Sequence, residues 1–273
     1  MKKFSQINSV TLNVAIEGHI IKRKVKDIFS KSTFAQEKSS KTLDYCLYKH
    51  QSLIRRQLGV VDSQLQDNKA INLSLASKAI NTILIKPGET FSLWKLAGRH
   101  SKRNGYKVGL TITGNKPSQG IGGGLCQLTN LIHWLVLHSP LEIVEHHHHD
   151  QFDLFPDYNR QVPFGVGTSI QYNYLDYRFK NTTDQTFQLC LWTDNRYLYG
   201  QLMCECPLNR KYHIEALDEY FMKEDDDLFR YGKIYRKIID KKTGTTLDYH
   251  LVKDNRAIVL YDHNHVPSEK IKT

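Results

Sequence analysis

The chain predicts an α+β fold: N-terminal helices, then a mostly antiparallel sheet packed on a central helix that begins at a glycine-rich cysteine motif. Three observations predict it. Apolar residues recur at helical spacing early in the chain and again after Cys126. After Gly88 the pattern changes to short segments rich in Thr, Val, Ile, Tyr and Phe, bounded by turn residues. Helices come first and strands follow, as in two layers sharing one core.

Residues 1–40 are polar and mixed and read as a loosely attached N-terminal extension; 41–210 form the core domain and 211–273 a β-rich C-terminal extension of it. From Thr42 to Leu58, the run Leu43, Cys46, Leu47, His50, Leu53, Ile54 predicts a helix. A second helix is expected from Asn72 to about Thr82, with Leu73, Leu75, Ala76, Ala79, Ile80 and Ile83 as its buried stripe, before the Pro87-Gly88 turn. Strands are expected at Lys107 to Ile112, Leu141 to His149, Gly167 to Asn181, Gln185 to Trp192 and Leu198 to Cys204. Beyond about 210 come further short strands, an acidic interruption at Glu224 to Asp227, and a hairpin signal at Lys242-Thr-Gly-Thr245.

A chain of 273 residues with 40% hydrophobic and 24% charged content can bury a substantial core. The net charge of +10 is spread along the chain, with a local run at Lys22-Arg-Lys-Val-Lys26. No helix-turn-helix, zinc-finger or RNP-type signature accompanies it, so nucleic acid is not an expected partner. A phosphorylated cell-wall precursor or a membrane surface suits the same charge. Asn8, Asn13 and Glu17 interrupt every apolar run near Met1, which argues against a secretory signal, and no stretch approaches the ~20 apolar residues of a transmembrane helix. The cysteines number five, an odd and scattered set that favours free thiols in a cytoplasmic location.

The densest chemical signal is Gly120-Ile-Gly-Gly-Gly-Leu-Cys-Gln-Leu-Thr-Asn130. Glycines let the backbone take positive φ. A thiol in the first turn of a helix faces unpaired N–H groups and the positive dipole end, which favour the nucleophilic thiolate. The loop is neither a P-loop, since Ile121 stands where Lys should be, nor a dinucleotide fingerprint, since Leu125 takes the third glycine position. No cofactor is therefore expected. Leu125, Leu128, Leu131, Ile132, Leu135 and Val136 form one apolar stripe, and Cys126 falls off it beside Thr129, Asn130 and His133. The competing structural reading is a buried, inert cysteine.

Five stretches together resemble the VanW family, named for an accessory protein of glycopeptide-resistance gene clusters. They are Leu84 to Trp94, Gly122 to Ile132, Ile143-Val-Glu-His-His-His-His149, Val162-Pro-Phe-Gly-Val-Gly-Thr168, and Tyr172 to Asn181. The likeness runs in order over roughly 40 to 205. It implies a link to vancomycin resistance through gene context, with no settled biochemical activity. In the family's strand pattern Glu145, His147 and His149 match, and the family's aspartate falls on Asp176.

Strand alternation selects the same histidines, since Leu141, Ile143, Glu145, His147 and His149 share one face. Cys126 then reads as a nucleophile with His147 or His149 as its base and Asp176 as the orienting acid. The structural alternative for Asp176 is an ion pair with Arg178. Gly122, Gly123, Gly124, Gln127, Arg160 and Arg178 are candidate substrate-binding positions. The functions open are thiol-dependent acyl transfer or hydrolysis on a cell-wall precursor peptide, a Cys126/His147/His149 metal site, and a non-catalytic precursor- or protein-binding module; the first is favoured.

Overall fold

The computed structural model describes residues 9–55, 63–113, 116–148, 151–157, 160–172 and 174–272. It is an α+β structure of mostly antiparallel sheets. In chain order the main elements begin with α1 (Ser9–Phe29), β1 (Tyr45–Leu53), α2 (Ser63–Ile80), β2 (Ile83–Ile85), β3 (Thr90–Ser92) and α3 (Leu93–Ala97). A hairpin of β4 (Val108–Thr113) and β5 (Lys116–Ile121) leads into α4 (Cys126–Leu137). Then come β6 (Glu142–Glu145), β7 (Phe152–Asp153), β8 (Arg178–Lys180), β9 (Phe187–Thr193) and β10 (Tyr197–Cys204). Three long strands, β11 (Arg210–Glu224), β12 (Asp227–Asp240) and β13 (Thr246–Val259), precede the short β14 (Ile271–Lys272).

The strand orders are β1-β10-β9-β2, β3-β8-β6, and β14-β11-β12-β13-β7, in which only the β11–β14 and β13–β7 pairs are parallel. Helices α2 and α4 pack on the first of these sheets, burying Leu73, Ile80, Leu131 and Leu135 against Leu189, Leu191 and Leu202. Each such side chain contributes roughly 1.5–3 kcal/mol. The other side of α4 carries Trp134 and Leu137 into a second cluster with Val166, Ile214 of β11 and Ile234 of β12. Being apolar nearly all round, α4 is buried from two directions. It ends where Ser139 Oγ donates to the carbonyl of Val136 and Pro140 follows.

The run from Thr42 is not a helix. Residues 45–53 form β1, paired antiparallel with β10 from Tyr45↔Cys204 to Leu53↔Tyr197; residues 56–58 of that expectation lie outside the described residues. A ladder to a distant strand, broken only by a bulge between Cys46 and Tyr48, outweighs a local 3.6-residue spacing that nothing local caps. The second helix begins earlier than expected, at Ser63. The strand expected over 167–181 is confined to Arg178–Lys180. Its upstream part is held by isolated bonds instead: the Asn130 side-chain Oδ1 accepts both the N–H and the hydroxyl of Thr168, and the Ser169 N–H donates to the His147 backbone carbonyl at 2.6 Å. Beyond 210 the strands are long rather than short. The hairpin signal falls at the β12–β13 reversal, with Gly244 at positive φ, and the acidic interruption falls at the β11–β12 reversal, with Asp225 at positive φ.

Residues 9–29, expected as part of a loose extension, form α1, which is tied to the core by ion pairs. Arg178 clamps Asp27 through two bonds at 2.7 and 2.9 Å, and Arg23 pairs with Glu145.

Candidate functional site

The glycine loop is shaped by backbone needs. Gly122 and Gly124 take φ of 76° and 91°, the left-handed region that favours glycine. Gly123 passes so close to Gly109 of β4 that a Cβ there would lie 2.1 Å from the Gly109 carbonyl carbon. Buried Asn72 of α2 clamps the crossing. Its amide donates to the carbonyls of Gly123 at 2.9 Å and Lys107 at 3.1 Å, and its oxygen accepts the Lys107 N–H at 2.8 Å. Nothing in the sequence pattern singles out Asn72, because its partners are backbone groups supplied by distant residues.

The loop delivers Cys126 as the first residue of α4, without a side-chain cap at Leu125. Cys126 is half-buried and lines a cleft of about 730 Å³, within the range of small-molecule sites. Burial raises its thiol above the ordinary value, and the N–H groups of Ile170 and of Cys126 itself only partly offset this. The helix-end position is as expected, but desolvation, which favours the neutral thiol, wins over it.

Three further polar groups line the same cleft with atoms that find no hydrogen-bond partner: Gln66 Oε1, Ser169 Oγ and His100 Nδ1. Gln66 and Ser169 are more than nine-tenths buried. Orphaned buried polar atoms cost about 1–3 kcal/mol each unless something completes them. His100 lies against Gly122, where a Cβ would fall 2.7 Å from its ring, and Trp94 flanks it at 5.3 Å between ring centroids. Burial and the neighbouring Arg99 keep His100 neutral by lowering its pKa. His100 stands alone in the sequence, far from the conspicuous histidine run, so no local pattern marks it.

The expected histidines go elsewhere. A register shift between Ile143 and Glu145 puts a bulge in β6, so alternation cannot be carried through to 147. His147 Nε2 meets Glu145 Oε1 at 3.0 Å, and His147 is not among the cleft-lining residues. His146, expected on the other face, stacks on buried His133 at 4.3 Å and bonds to the Gly167 carbonyl. His149 lies outside the described residues. Among the described residues no group of three His, Cys, Asp or Glu side chains is placed to hold a metal ion.

Asp176 sits in the ion-pair network under α1. Its carboxylate accepts from Ser92 Oγ, from Arg178 Nε at 2.7 Å, and from the N–H groups of Trp94 and Tyr177. Arg178 is likewise spent on Asp176 and Asp27, and neither residue lines the cleft. Gln127 and Arg160 do line it, together with Gly122, Gly123 and Gly124. The Gln127 amide donates to Ser52 Oγ and the Leu53 carbonyl, fastening α4 to the end of β1. Arg160 donates to Asp157 at 2.5 Å on the cleft edge.

Fold and site together define an α+β cleft protein in which a glycine crossing presents a cysteine at a helix start to a partly unsatisfied polar pocket. The chain belongs to the VanW family: the family described as VanW like protein matches residues 68–203, and a relative spans most of the chain. That relative, "Vancomycin B-type resistance protein VanW" of Enterococcus faecalis, is 33% identical over 233 residues, covering 85% of this chain and 84% of its own length. The "Uncharacterized protein YoaR" of Bacillus subtilis is 31% identical over 121 residues, 43% of this chain and 37% of its own length. No solved structure is a significant match.

Proposed function

We propose that this protein acts in vancomycin resistance, as the name of its enterococcal relative states for that protein, by binding a cell-wall precursor peptide in the cleft and attacking it with Cys126. The observation that carries the reading is that Cys126 and a neutral imidazole, His100, share one cleft on either side of the glycine loop. His100 takes the thiol proton, and the thiolate attacks a peptide carbonyl. A thioester forms while the leaving amine is protonated by the imidazolium, and water or a second amine then takes the acyl group. The unpartnered Gln66 Oε1 and Ser169 Oγ, an acceptor and a hydroxyl, suit the N–H and C=O of a peptide backbone. Five free thiols support a cytoplasmic setting, where the substrate is a precursor rather than assembled wall.

The test is intact-mass analysis of the protein after incubation with a synthetic precursor stem peptide. An acyl adduct on Cys126 is expected, absent in Cys126→Ser and formed about 10²–10⁴-fold more slowly in His100→Ala. The raised thiol favours a second reading, a precursor-binding module in which Cys126 is a wall of the pocket. Peptide binding without any adduct, unchanged in Cys126→Ser, selects it.

A further inference from the structure

We infer that α1 is an interfacial helix that seats the protein on an anionic membrane surface. The inference goes beyond the reading of the Cys126 cleft and does not depend on it. It rests on an inversion of the usual amphipathic pattern. The face of α1 turned to the core carries the charged Arg23 and Asp27, with Ile20 buried and Ile16 half-buried as its apolar contacts among the described residues. The face turned outward is apolar. Val14, Ile21, Val25, Ile28 and Phe29 are all exposed, Ile28 at 77% and Phe29 at 82%.

These five positions form one stripe. At about 100° per residue, Val14, Ile21, Val25, Ile28 and Phe29 fall within a sector of about 100°, and at about 1.5 Å per residue the stripe runs roughly 22 Å along the helix. Single exposed apolar residues need no explanation, but a continuous stripe of this size marks an interaction surface. The orientation is held: Arg23 on Glu145, and Arg178 and Lys95 on Asp27, fasten the polar side inward, so the apolar side cannot roll under.

Charge decides the occupant. Exposed Lys24 borders the stripe on one side and exposed Lys22 and Lys26 on the other. Glu17, the acid nearest the stripe, is neutralised by Arg99 at 2.8 Å. An apolar centre with lysines on both flanks is the pattern of a helix lying in the plane of a membrane, its side chains in the acyl boundary and its ammonium groups on anionic headgroups. A second copy of the chain docking on the same stripe brings lysine rows against lysine rows. No helix among the described residues is long and apolar enough to cross a bilayer, so α1 lies on the surface rather than spanning it.

The full chain tests this by co-sedimentation with vesicles of phosphatidylcholine alone or mixed with phosphatidylglycerol. Binding is expected to the mixed vesicles, and to weaken as salt rises. Ile21→Glu and Ile28→Glu each lower it about tenfold or more. Both side chains are exposed, so the circular dichroism and melting of these variants stay unchanged. Lys22→Glu combined with Lys26→Glu removes the preference for the anionic mixture. Absence of binding, or equal binding by the wild type and Ile21→Glu, overturns the inference. So does a dimer that ignores vesicles and that Ile21→Glu converts to a monomer, which assigns the face to a second copy. Vesicle binding is read without any catalytic signal, so its failure is distinct from failure of the Cys126 chemistry.

Discussion

At the residue scale, Cys126 sets two influences against each other. The helix start and two N–H groups favour the thiolate, while burial favours the thiol, and burial wins. Alkylation by iodoacetamide is therefore expected to be slower at Cys126 than at exposed Cys206 near neutral pH, and to accelerate as pH rises past the ordinary thiol range. Mass-spectrometric mapping of the five cysteines checks it, and faster labelling of Cys126 at neutral pH contradicts the burial argument. The glycine crossing yields a second prediction. Gly123→Ala forces a Cβ into the Gly109 backbone, and Asn72→Ala strips three hydrogen bonds from the buried crossing. Each is expected to cost about 2–4 kcal/mol in thermal or urea melts. The cysteine and its glycines were legible in the sequence because their constraints are local. His100, Gln66 and Ser169 were not, because each depends on which distant segment the loop meets.

At the scale of elements, α1 depends on charge for its seat. Burial works to raise the carboxyls of Asp27 and Glu145, but Arg178 and Lys95 on the first, and Arg23 and His147 on the second, hold both below their ordinary values. Carboxyls depressed in the folded state stabilise it fully above the ordinary carboxylate range and lose that contribution as pH falls through the depressed values. Hydrogen exchange in α1 is thus expected to stay slow at neutral pH and to rise in strong acid. Asp27→Asn, which leaves Arg178 without its bidentate partner, is expected to expose α1 at neutral pH at a cost of about 2–3 kcal/mol. Wild-type protection of α1 in that variant contradicts the anchor. Helical spacing over 42–58 gave no sign of β1, and the polar composition near the N-terminus gave no sign of how α1 is seated, since neither the β10 ladder nor the Arg178 clamp has any local sequence signal.

At the scale of the whole molecule, Arg230 of β12 joins the long C-terminal sheet to the cleft. It is 1% exposed and pairs with Asp153, Asp157 and Glu219, and Asp157 in turn holds Arg160 on the cleft edge. Arg230→Met leaves buried Asp153 without its cation and takes one partner each from Asp157 and Glu219, and a loss of about 3–5 kcal/mol is expected in chemical denaturation, together with weaker binding of any peptide that uses Arg160. Stability unchanged by this variant removes Arg230 from that role. Buried histidines impose an acid limit on the fold as a whole. His133, desolvated beside His146 and His148, is held neutral far below its ordinary value, and burial pushes His138 from 6.5 to about 4. Their contribution is complete above the ordinary imidazole range and is lost as pH falls from about 6.5 toward 4, so melting temperature is expected to decline across that window. A flat profile there contradicts the assignment of both rings as buried and neutral.

The α+β class, β4, β9 and β10, the helix starting at Cys126 and the family itself were determined by the sequence alone, because patterning, turn chemistry and a glycine–cysteine motif act over neighbouring residues. Which histidines reach the cleft, His50 and His100 rather than His147, was decided only in three dimensions. One bulge in β6 put Glu145 and His147 on the face opposite Ile143, and His100 lies against Gly122 where the loop crosses Gly109. A one-residue slip reverses every side chain beyond it, and a close approach of distant backbones leaves no mark on either segment. The outward apolar face of α1 is divided in the same way: its stripe is written in residues 14–29, but only the ion pairs at Arg23 and Asp27 determine that it faces solvent.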